Sequence, residues 1–331
     1  MAAFLLRRLG YYVALLAVAT FVSYVLAATA LSPRAYFEAR QPPPPAAQVE
    51  RQLTLAGLND HEPLLGRFTR WAANASTGDL GRTISGRSVN AEFGRRIGVS
   101  LRLLVIGTLL GIGAGILAGV WGAVRQYRAS DRVMTVLSLV LLSMPTFLIA
   151  VLLKIGALAL NEAAGHQVIA FTGEASPGIG SGTAALLWDR AVHLLLPTLS
   201  IGLAAVAAYS RYQRSTMLDV LGADYLRTAA AKGLRRRTVL LRHGLRTALI
   251  PMSTFFSFGI LGLLTGATFT EKIFGWHGMG EWFIDSINDS DVNSVVAVNV
   301  FAALTVLAAG LLADLLLAAL DPRVRHGQVR A

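Results

Sequence analysis

The chain has 331 residues, of which 54% are hydrophobic and only 15% are charged, and its mean hydropathy is +0.55. This balance is typical of membrane proteins and argues against a soluble domain. The net charge of +11 would suit a nucleic-acid-binding protein. The basic residues, however, fall mostly between long apolar runs, as they do in membrane proteins, so we expect membrane lipid and no nucleic acid as partners. The absence of cysteine excludes disulfides, thiolate metal sites and a cysteine nucleophile.

Six runs free of Asp, Glu, Lys and Arg are long enough to cross a membrane as helices. The first follows Arg7 and Arg8; it is too long for the core of a signal peptide and has no convincing cleavage site, so we interpret it as a retained span. The runs cover residues 9–31, 103–124, 133–153, 191–210, 247–270 and 292–313. The sequence therefore predicts an all-α polytopic membrane protein with six transmembrane helices.

The loop charges predict how these spans are oriented. Residues 211–246 contain nine basic and two acidic side chains, and such loops are retained in the cytoplasm. Residues 271–291 are acidic and belong outside, so both termini lie in the cytoplasm. We expect four parts: residues 1–31 with the N-terminus and first span, an extracytoplasmic insertion at 32–96 that includes a proline-rich spacer, a helical core at 97–320, and a cytoplasmic tail at 321–331.

A glycine repeat marks the second span. Gly107, Gly111, Gly115 and Gly119 recur every four residues and therefore share one face of a helix. A face without side chains allows another helix to pack at short distance. Because the stretch lacks GxGxxG and no strand precedes it, we predict helix packing rather than a dinucleotide site.

The segment DYLRTAAAKGLRRRTVLLRHGLRTALIP, residues 224–251, lies between the fourth and fifth spans. Asp224 and Thr228 are candidates to cap a short helix, in which alanines keep the side chains small. Gly233 supplies a bend after it. The basic residues that follow suit anionic headgroups or acidic groups of a partner. These features predict a docking surface on the cytoplasmic face, on which a soluble motor protein could act.

Motifs that carry catalysis are missing from the sequence. There is no GxxxxGK[ST] phosphate loop, no HExxH and no GxSxG elbow, and the six histidines are scattered. We therefore predict a non-catalytic chain that binds no metal or cofactor and takes its energy from another protein. Substrate-binding residues form no motif and stay unassigned.

With this topology in hand, residues 224–251 resemble the cytoplasmic signature loop of binding-protein-dependent ABC importer permeases. Other segments are similar to the dipeptide and oligopeptide permease family, and their order matches over nearly the whole chain. They are GDLGRTISGRSV at 78–89, the span around Pro145, EKIFGWHGMGEWFIDSI at 271–287 and DPRVR at 321–325. The insertion after the first span resembles the first of the two permease subunits in such importers.

The resemblance implies a type I ABC importer permease fold and a set of partners. An extracytoplasmic binding protein delivers peptide, a second homologous permease completes the path, and two cytoplasmic ATPase subunits bind ATP and Mg. It also implies a coupling helix that fits a groove on one ATPase, formed by Asp224, Arg227, Thr228, Ala229, Ala231, Lys232 and Gly233. Related importers of nickel, glutathione or another small solute stay open as alternatives, as do a stand-alone secondary transporter or channel and an intramembrane enzyme.

Overall fold

A computed structural model describes residues 2–178 and 182–320, with side chains throughout except at 2–7, 257, 258, 260–263 and 265. The predicted tail at 321–331, with its DPRVR sequence, lies outside the described residues. The chain divides into two compact units. Unit 1 contains the residues up to Leu101 together with His277–Leu307, and unit 2 contains Arg102–Trp276 together with the residues from Ala308 onward.

Within the described ranges the secondary structure is helical, apart from one pairing of extended backbone between Arg82 and Ser88. The helices of the first half are α1 (Ala2–Ala30), α2 (Pro33–Glu38), α3 (Ala46–Leu55), α4 (Leu64–Ser76), α5 (Val89–Val124), α6 (Ala129–Ser143) and α7 (Thr146–Ala164). The helices of the second half are α8 (Thr183–Leu221), α9 (Asp224–Ala231), α10 (Arg236–Thr238), a π-helical segment (Val239–Leu245), α11 (Arg246–Ala248), α12 (Ile250–Phe274), α13 (Met279–Asn288) and α14 (Val292–Leu320).

Each apolar run predicted as a span is helical over most of its length in the structure. Five helical stretches among the described residues are long and apolar enough to cross a membrane: Arg8–Ala30, Val89–Val124, Thr146–Ala164, Thr183–Leu221 and Val292–Leu320. Helix α12 has 25 residues and extends over about 37 Å at ~1.5 Å per residue, which also suffices. The chain is an all-α polytopic membrane protein, as predicted.

The prediction of one continuous third span at 133–153 is wrong. The chain leaves the helical conformation at Met144 (φ −97°, ψ 132°), and α7 begins after Pro145. Proline lacks a backbone N–H and forces the preceding residue toward extended backbone, so α6 ends there. Helix α7 then continues to Ala164, eleven residues beyond the predicted end at Leu153.

Two other helices run well past their predicted spans. Helix α5 begins at Val89 and α8 covers Thr183–Leu221, whereas the charge-free runs cover only 103–124 and 191–210. Charged residues such as Asp189 and Arg214 lie inside α8. A charge-free run marks the part of a helix that suits hydrocarbon, and the helix itself continues wherever its backbone hydrogen bonds are made.

In unit 1, the segment at 32–88 has a core of its own. Helices α2, α3 and α4 pack their apolar residues against the last turns of α1 and the first turns of α14. The buried cluster contains Tyr24, Ala27, Phe37, Val49, Leu53, Leu58, Trp71, Ile84, Val292, Val295 and Val296. Phe68 contributes edge contacts to Tyr24, with ring centroids 5.4 Å apart. The predicted insertion is therefore a folded helical layer attached to two of the membrane helices.

In unit 2, the four glycines of α5 face α8. A Cβ atom built on Gly111 would lie 2.6 Å from the Cβ of Ala205 and 2.9 Å from the carbonyl oxygen of Gly202. At Gly119 it would lie 2.5 Å from the carbonyl oxygen of Ser210. A Cβ built on Gly107 would lie 3.2 Å from the Ile201 Cβ, and one built on Gly115 would lie 2.8 Å from the Tyr209 Cβ. No side chain fits at Gly111 or Gly119 without moving backbone, so the two helices touch through their main chains.

Candidate functional site

The segment between α8 and α12 contains the residues predicted to couple the chain to another protein. Helix α8 ends at Leu221, and α9 begins three residues later, at Asp224. Asp224 is the first residue of α9 and not its cap: the N-cap position belongs to Ala223 (ψ 140°), which has no capping side chain. The predicted capping by Asp224 and Thr228 is therefore wrong. Asp224 still places a negative charge in the first turn, where the helix dipole favours it, and the Thr228 hydroxyl donates to the Asp224 carbonyl at 3.0 Å.

Helix α9 presents most of its surface to solvent. Leu226 is 5% exposed and is the buried side chain of this helix among the described residues. The other predicted coupling residues are exposed, apart from Ala229, which is half-buried; the exposed ones are Asp224, Arg227, Thr228, Ala231, Lys232 and Gly233. The ion pair between Arg227 and Asp224, 3.4 Å long, involves side chains that are 76% and 94% exposed, so it adds little stability. Five of the predicted residues therefore lie on one short, outward-facing helix, and Lys232 and Gly233 follow directly after it.

Gly233 provides the predicted bend. Its φ is +79°, and its N–H donates to the Ala230 carbonyl at 3.0 Å. Apart from the two adjacent residues, no atom of the described chain lies within 4 Å of a Cβ built at this position. A side chain at 233 therefore meets no clash within the chain, and its cost comes from the left-handed backbone conformation.

The chain after this bend packs back on the end of α8. It runs as continuous helix through α10, the π-helical segment and α11, and then enters α12. A Cβ on Gly244 would lie 3.4 Å from the Met217 Cε atom and 3.6 Å from the Leu226 Cδ1 atom. Met217 and Ala248 share a buried cluster with Ala123 of α5. The side of α9 that carries Leu226 is therefore fixed against the rest of the chain, and its opposite side is exposed.

The exposed face of this segment is basic. The side chains of Lys232, Arg235, Arg236, Arg237 and Arg242 are exposed. Arg246, one turn before α12, donates to the carbonyl oxygens of Leu320 at 3.2 Å and Ala319 at 3.4 Å. A helix with small side chains beside a row of cations can enter a groove that has acidic residues at its edge.

A charged network in unit 1 was not anticipated from the sequence. Glu92, near the start of α5, accepts hydrogen bonds from Arg87 at 2.8 Å, Arg95 at 2.7 Å and Arg96 at 3.1 Å. Arg96 also approaches Glu281 at 3.7 Å, and Glu281 contacts His277 at 2.7 Å. The (i, i+3) and (i, i+4) spacing of Arg95 and Arg96 from Glu92 is a sequence signal that could have revealed part of this network. The network fixes the loop before α13 to the start of α5.

Comparison with known proteins identifies the kind of chain these features belong to. Residues 111–326 match the family model described as binding-protein-dependent transport system inner membrane component. The chain is 55% identical to the oligopeptide transport system permease protein OppB of Mycobacterium tuberculosis, over 98% of this chain and 99% of that protein. It is 33% identical to the oligopeptide transport system permease protein AppB of Bacillus subtilis, over 98% and 100%. It is also 33% identical to the dipeptide transport system permease protein DppB of Escherichia coli K12, over 82% and 84%.

Proposed function

Because the chain belongs to the family of binding-protein-dependent transport system inner membrane components, we propose that it is a permease subunit of an ATP-driven importer of oligopeptides or dipeptides. It is a non-catalytic, multi-pass membrane subunit. Peptide reaches it from an extracytoplasmic binding protein, and the transport path forms between this chain and a second, homologous permease.

The observation that carries the proposal is the exposed α9 and the bend at Gly233. Two cytoplasmic ATPase subunits bind ATP and Mg, and one of them receives α9 in a groove on its surface. Ligand-driven closure of the ATPases shifts the permease between its states only if the two states contact α9 differently. Leu226 lies against Gly244, which packs on the end of α8, and these contacts transmit such a difference to a membrane helix. This arrangement requires both termini and α9 to lie in the cytoplasm, in agreement with the basic residues at 211–246.

Mild detergent purification of the tagged chain tests the subunit composition. We expect a second permease and two ATPase subunits to copurify in stoichiometric amounts. The assembled importer, reconstituted in vesicles with its binding protein, should accumulate labelled peptide only when ATP is supplied to the face that carries α9. Peptide uptake at full rate by the isolated chain, without ATPase subunits, would contradict the proposal and favour a stand-alone transporter or channel.

Competition in the same vesicles identifies the substrate class. Unlabelled dipeptides and oligopeptides should reduce uptake of the labelled peptide. Inhibition by glutathione or nickel, with no inhibition by other peptides, would assign the scaffold to one of those solutes instead. Labelling of cysteines placed at Asp79 and at Asp289, both exposed, checks orientation, since both should react from the outside.

A further inference from the structure

A paired acid and base in unit 2 join α6 to α8. The Asp131 carboxylate accepts two hydrogen bonds from Arg214, at 2.6 Å from Nε and 2.8 Å from Nη2. The backbone N–H of Tyr127 donates a third bond to it at 3.0 Å. The side chain of Asp131 is 4% exposed and that of Arg214 is 29% exposed. Bidentate geometry and burial make this contact, the Asp131–Arg214 clamp, far stronger and more specific than a surface ion pair.

A glycine of α5 and two serines lie around the clamp. A Cβ on Gly122 of α5 would lie 3.1 Å from the Asp131 Oδ1 atom and 3.5 Å from the Arg214 Cδ atom. The Ser138 and Ser210 hydroxyls share a hydrogen bond of 3.1 Å between the same two helices. A cavity of about 20 Å³ next to these groups is large enough for one water molecule. Helix α6 is thus bound to α8 through polar contacts at two levels.

The two helices that the clamp joins, α6 and α8, are connected differently to the rest of the chain. On α8, Arg214 lies two turns before the helix ends at Leu221, and α9 follows directly. On the other side, α6 is separated from α7 by the break at Met144 and Pro145. A helix interrupted by proline loses backbone hydrogen bonds and bends more easily at that point. Helices α6 and α7 both pack on α8, and the break between them allows α6 to change its angle to α7 as it follows α8.

From this geometry we infer that Asp131 and Arg214 are positioning residues that transmit the displacement of α9 to α6 during transport. The inference rests on the proposed function and adds a mechanical step to it. A motion of α9 reaches Arg214 through the end of α8, the clamp moves α6 with it, and the break at Pro145 absorbs the change. Without the clamp, the ATPases still engage α9, but α6 follows α8 less closely, because only the Ser138–Ser210 hydrogen bond and the helix packing join the two helices.

Transport per ATP hydrolysed tests this step in the reconstituted importer. Asp131→Asn keeps the shape of the side chain but leaves Arg214 without its charged partner, so peptide uptake should fall by about tenfold. ATP hydrolysis should stay within about twofold of the parent, because α9 is unchanged. Arg214→Lys retains the charge, loses the two-pronged contact, and should lower uptake by only about threefold. As a matched control, Arg102→Gln removes the more exposed ion pair with Glu174, 2.8 Å long, and should leave uptake unchanged.

The chain has no cysteine of its own, so spin labels can be attached at single introduced cysteines to measure the movement of α6. We place them at Val136→Cys on α6 and Ala163→Cys on α7, both exposed, on either side of the break. ATP should change the distance between the labels in the parent importer, and Asp131→Asn should reduce this change by at least about half. The same ATP-dependent change in both proteins, or none in the parent, would overturn the inference. This measurement needs ATP but no peptide, so failure of the parent to import peptide would count against the proposed function alone.

Discussion

Helices α5 and α9 both contain small residues, yet their surroundings are opposite. On α5 the approach is complete within the chain, since a Cβ at Gly111 would collide with Ala205. On α9 and at Gly233 the small residues face away from the described chain. Small residues on a helix therefore predict that something approaches closely. Only the surrounding contacts tell whether the approaching surface belongs to the same chain or, as proposed for α9, to another.

The first prediction tests the α5 side of this contrast and has the largest expected effect on stability. Gly111→Leu inserts a side chain between backbones already in contact, so the folded state should lose about 3 kcal/mol. Thermal unfolding of the purified chain, with the amount of folded protein in the membrane, measures this loss.

Gly113→Leu is the matched control, because it lies on the same helix with no neighbouring atom within 4 Å among the described residues. It should unfold at or slightly above the temperature of the parent, because leucine favours helix more than glycine does. Equal destabilisation by both substitutions would show that α5 does not depend on its contact with α8.

The second prediction tests the α9 side. Gly233→Asp should leave the chain folded in the membrane, with a backbone cost of about 1–2 kcal/mol, while ATP-driven peptide uptake falls by up to about 100-fold. The added side chain and its charge lie on the surface proposed to enter the ATPase groove. Uptake in reconstituted vesicles, divided by ATP hydrolysed, gives the coupling.

Gly57→Asp serves as the comparison for this substitution. Gly57 has a similar φ of +71° and equally open surroundings in the described chain, so it carries the same strain and charge at a site outside the proposed groove. Normal uptake by Gly233→Asp, or equal loss in both variants, would remove the assigned role of Gly233.

The third prediction concerns Asp291, whose carboxylate is hydrogen-bonded to other residues of the same chain. Asp291 is 4% exposed and accepts hydrogen bonds from the Ile84 N–H at 3.0 Å and the Ser294 hydroxyl at 2.7 Å. Burial raises the pKa of this carboxyl, and the bonds it accepts oppose that rise. Asp291→Ala leaves these donors unpaired and should destabilise unit 1 by about 2 kcal/mol, seen as faster proteolysis of residues 32–88. Asp289→Ala, two residues away and exposed, should be cleaved at the parent rate.

The smallest effect is expected at the surface of unit 1. Arg34 holds Asp60 through two hydrogen bonds of 3.0 and 2.6 Å, and these bonds lower the pKa of Asp60 to about 2. The stabilisation is therefore complete above the unfolded pKa of about 3.9 and is lost only as the pH falls toward the folded value. Arg34→Gln should cost less than about 1 kcal/mol, because Asp60 is half exposed. Its unfolding difference from the parent should be constant between pH 5 and 8.

Much of the fold follows from composition, because a membrane-spanning helix must be apolar along most of its length. The limits of the helices do not follow, as α8 shows by continuing through Arg211 and Arg214 to Leu221. The break at Pro145 had a local signal in the sequence, since the residue before a proline avoids helical backbone. The charge-free run continues across Pro145, so its length alone predicted one span.

The helix and the bend of the proposed coupling segment were predictable because their signals are local: a glycine at 233, a run of alanines and a row of arginines lie within a few turns. Contacts between distant residues left no such pattern. Asp131 and Arg214 are 83 residues apart, and Asp291 and Ile84 are 207 apart. Each looks unremarkable in its own segment, and only the packing of α6 on α8, or of residues 32–88 on α14, brings the partners together.

The core of unit 1 has a consequence for biogenesis. The layer formed by α2, α3 and α4 is completed by Val292, Val295 and Val296 of the last helix. At synthesis rates of about 5–20 residues per second, the 207 residues between Ile84 and Asp291 take roughly 10–40 s to emerge. During this interval the apolar residues of the nascent layer that later contact α14 are exposed. Chaperones and quality-control proteases therefore have their best access to the chain before α14 is inserted.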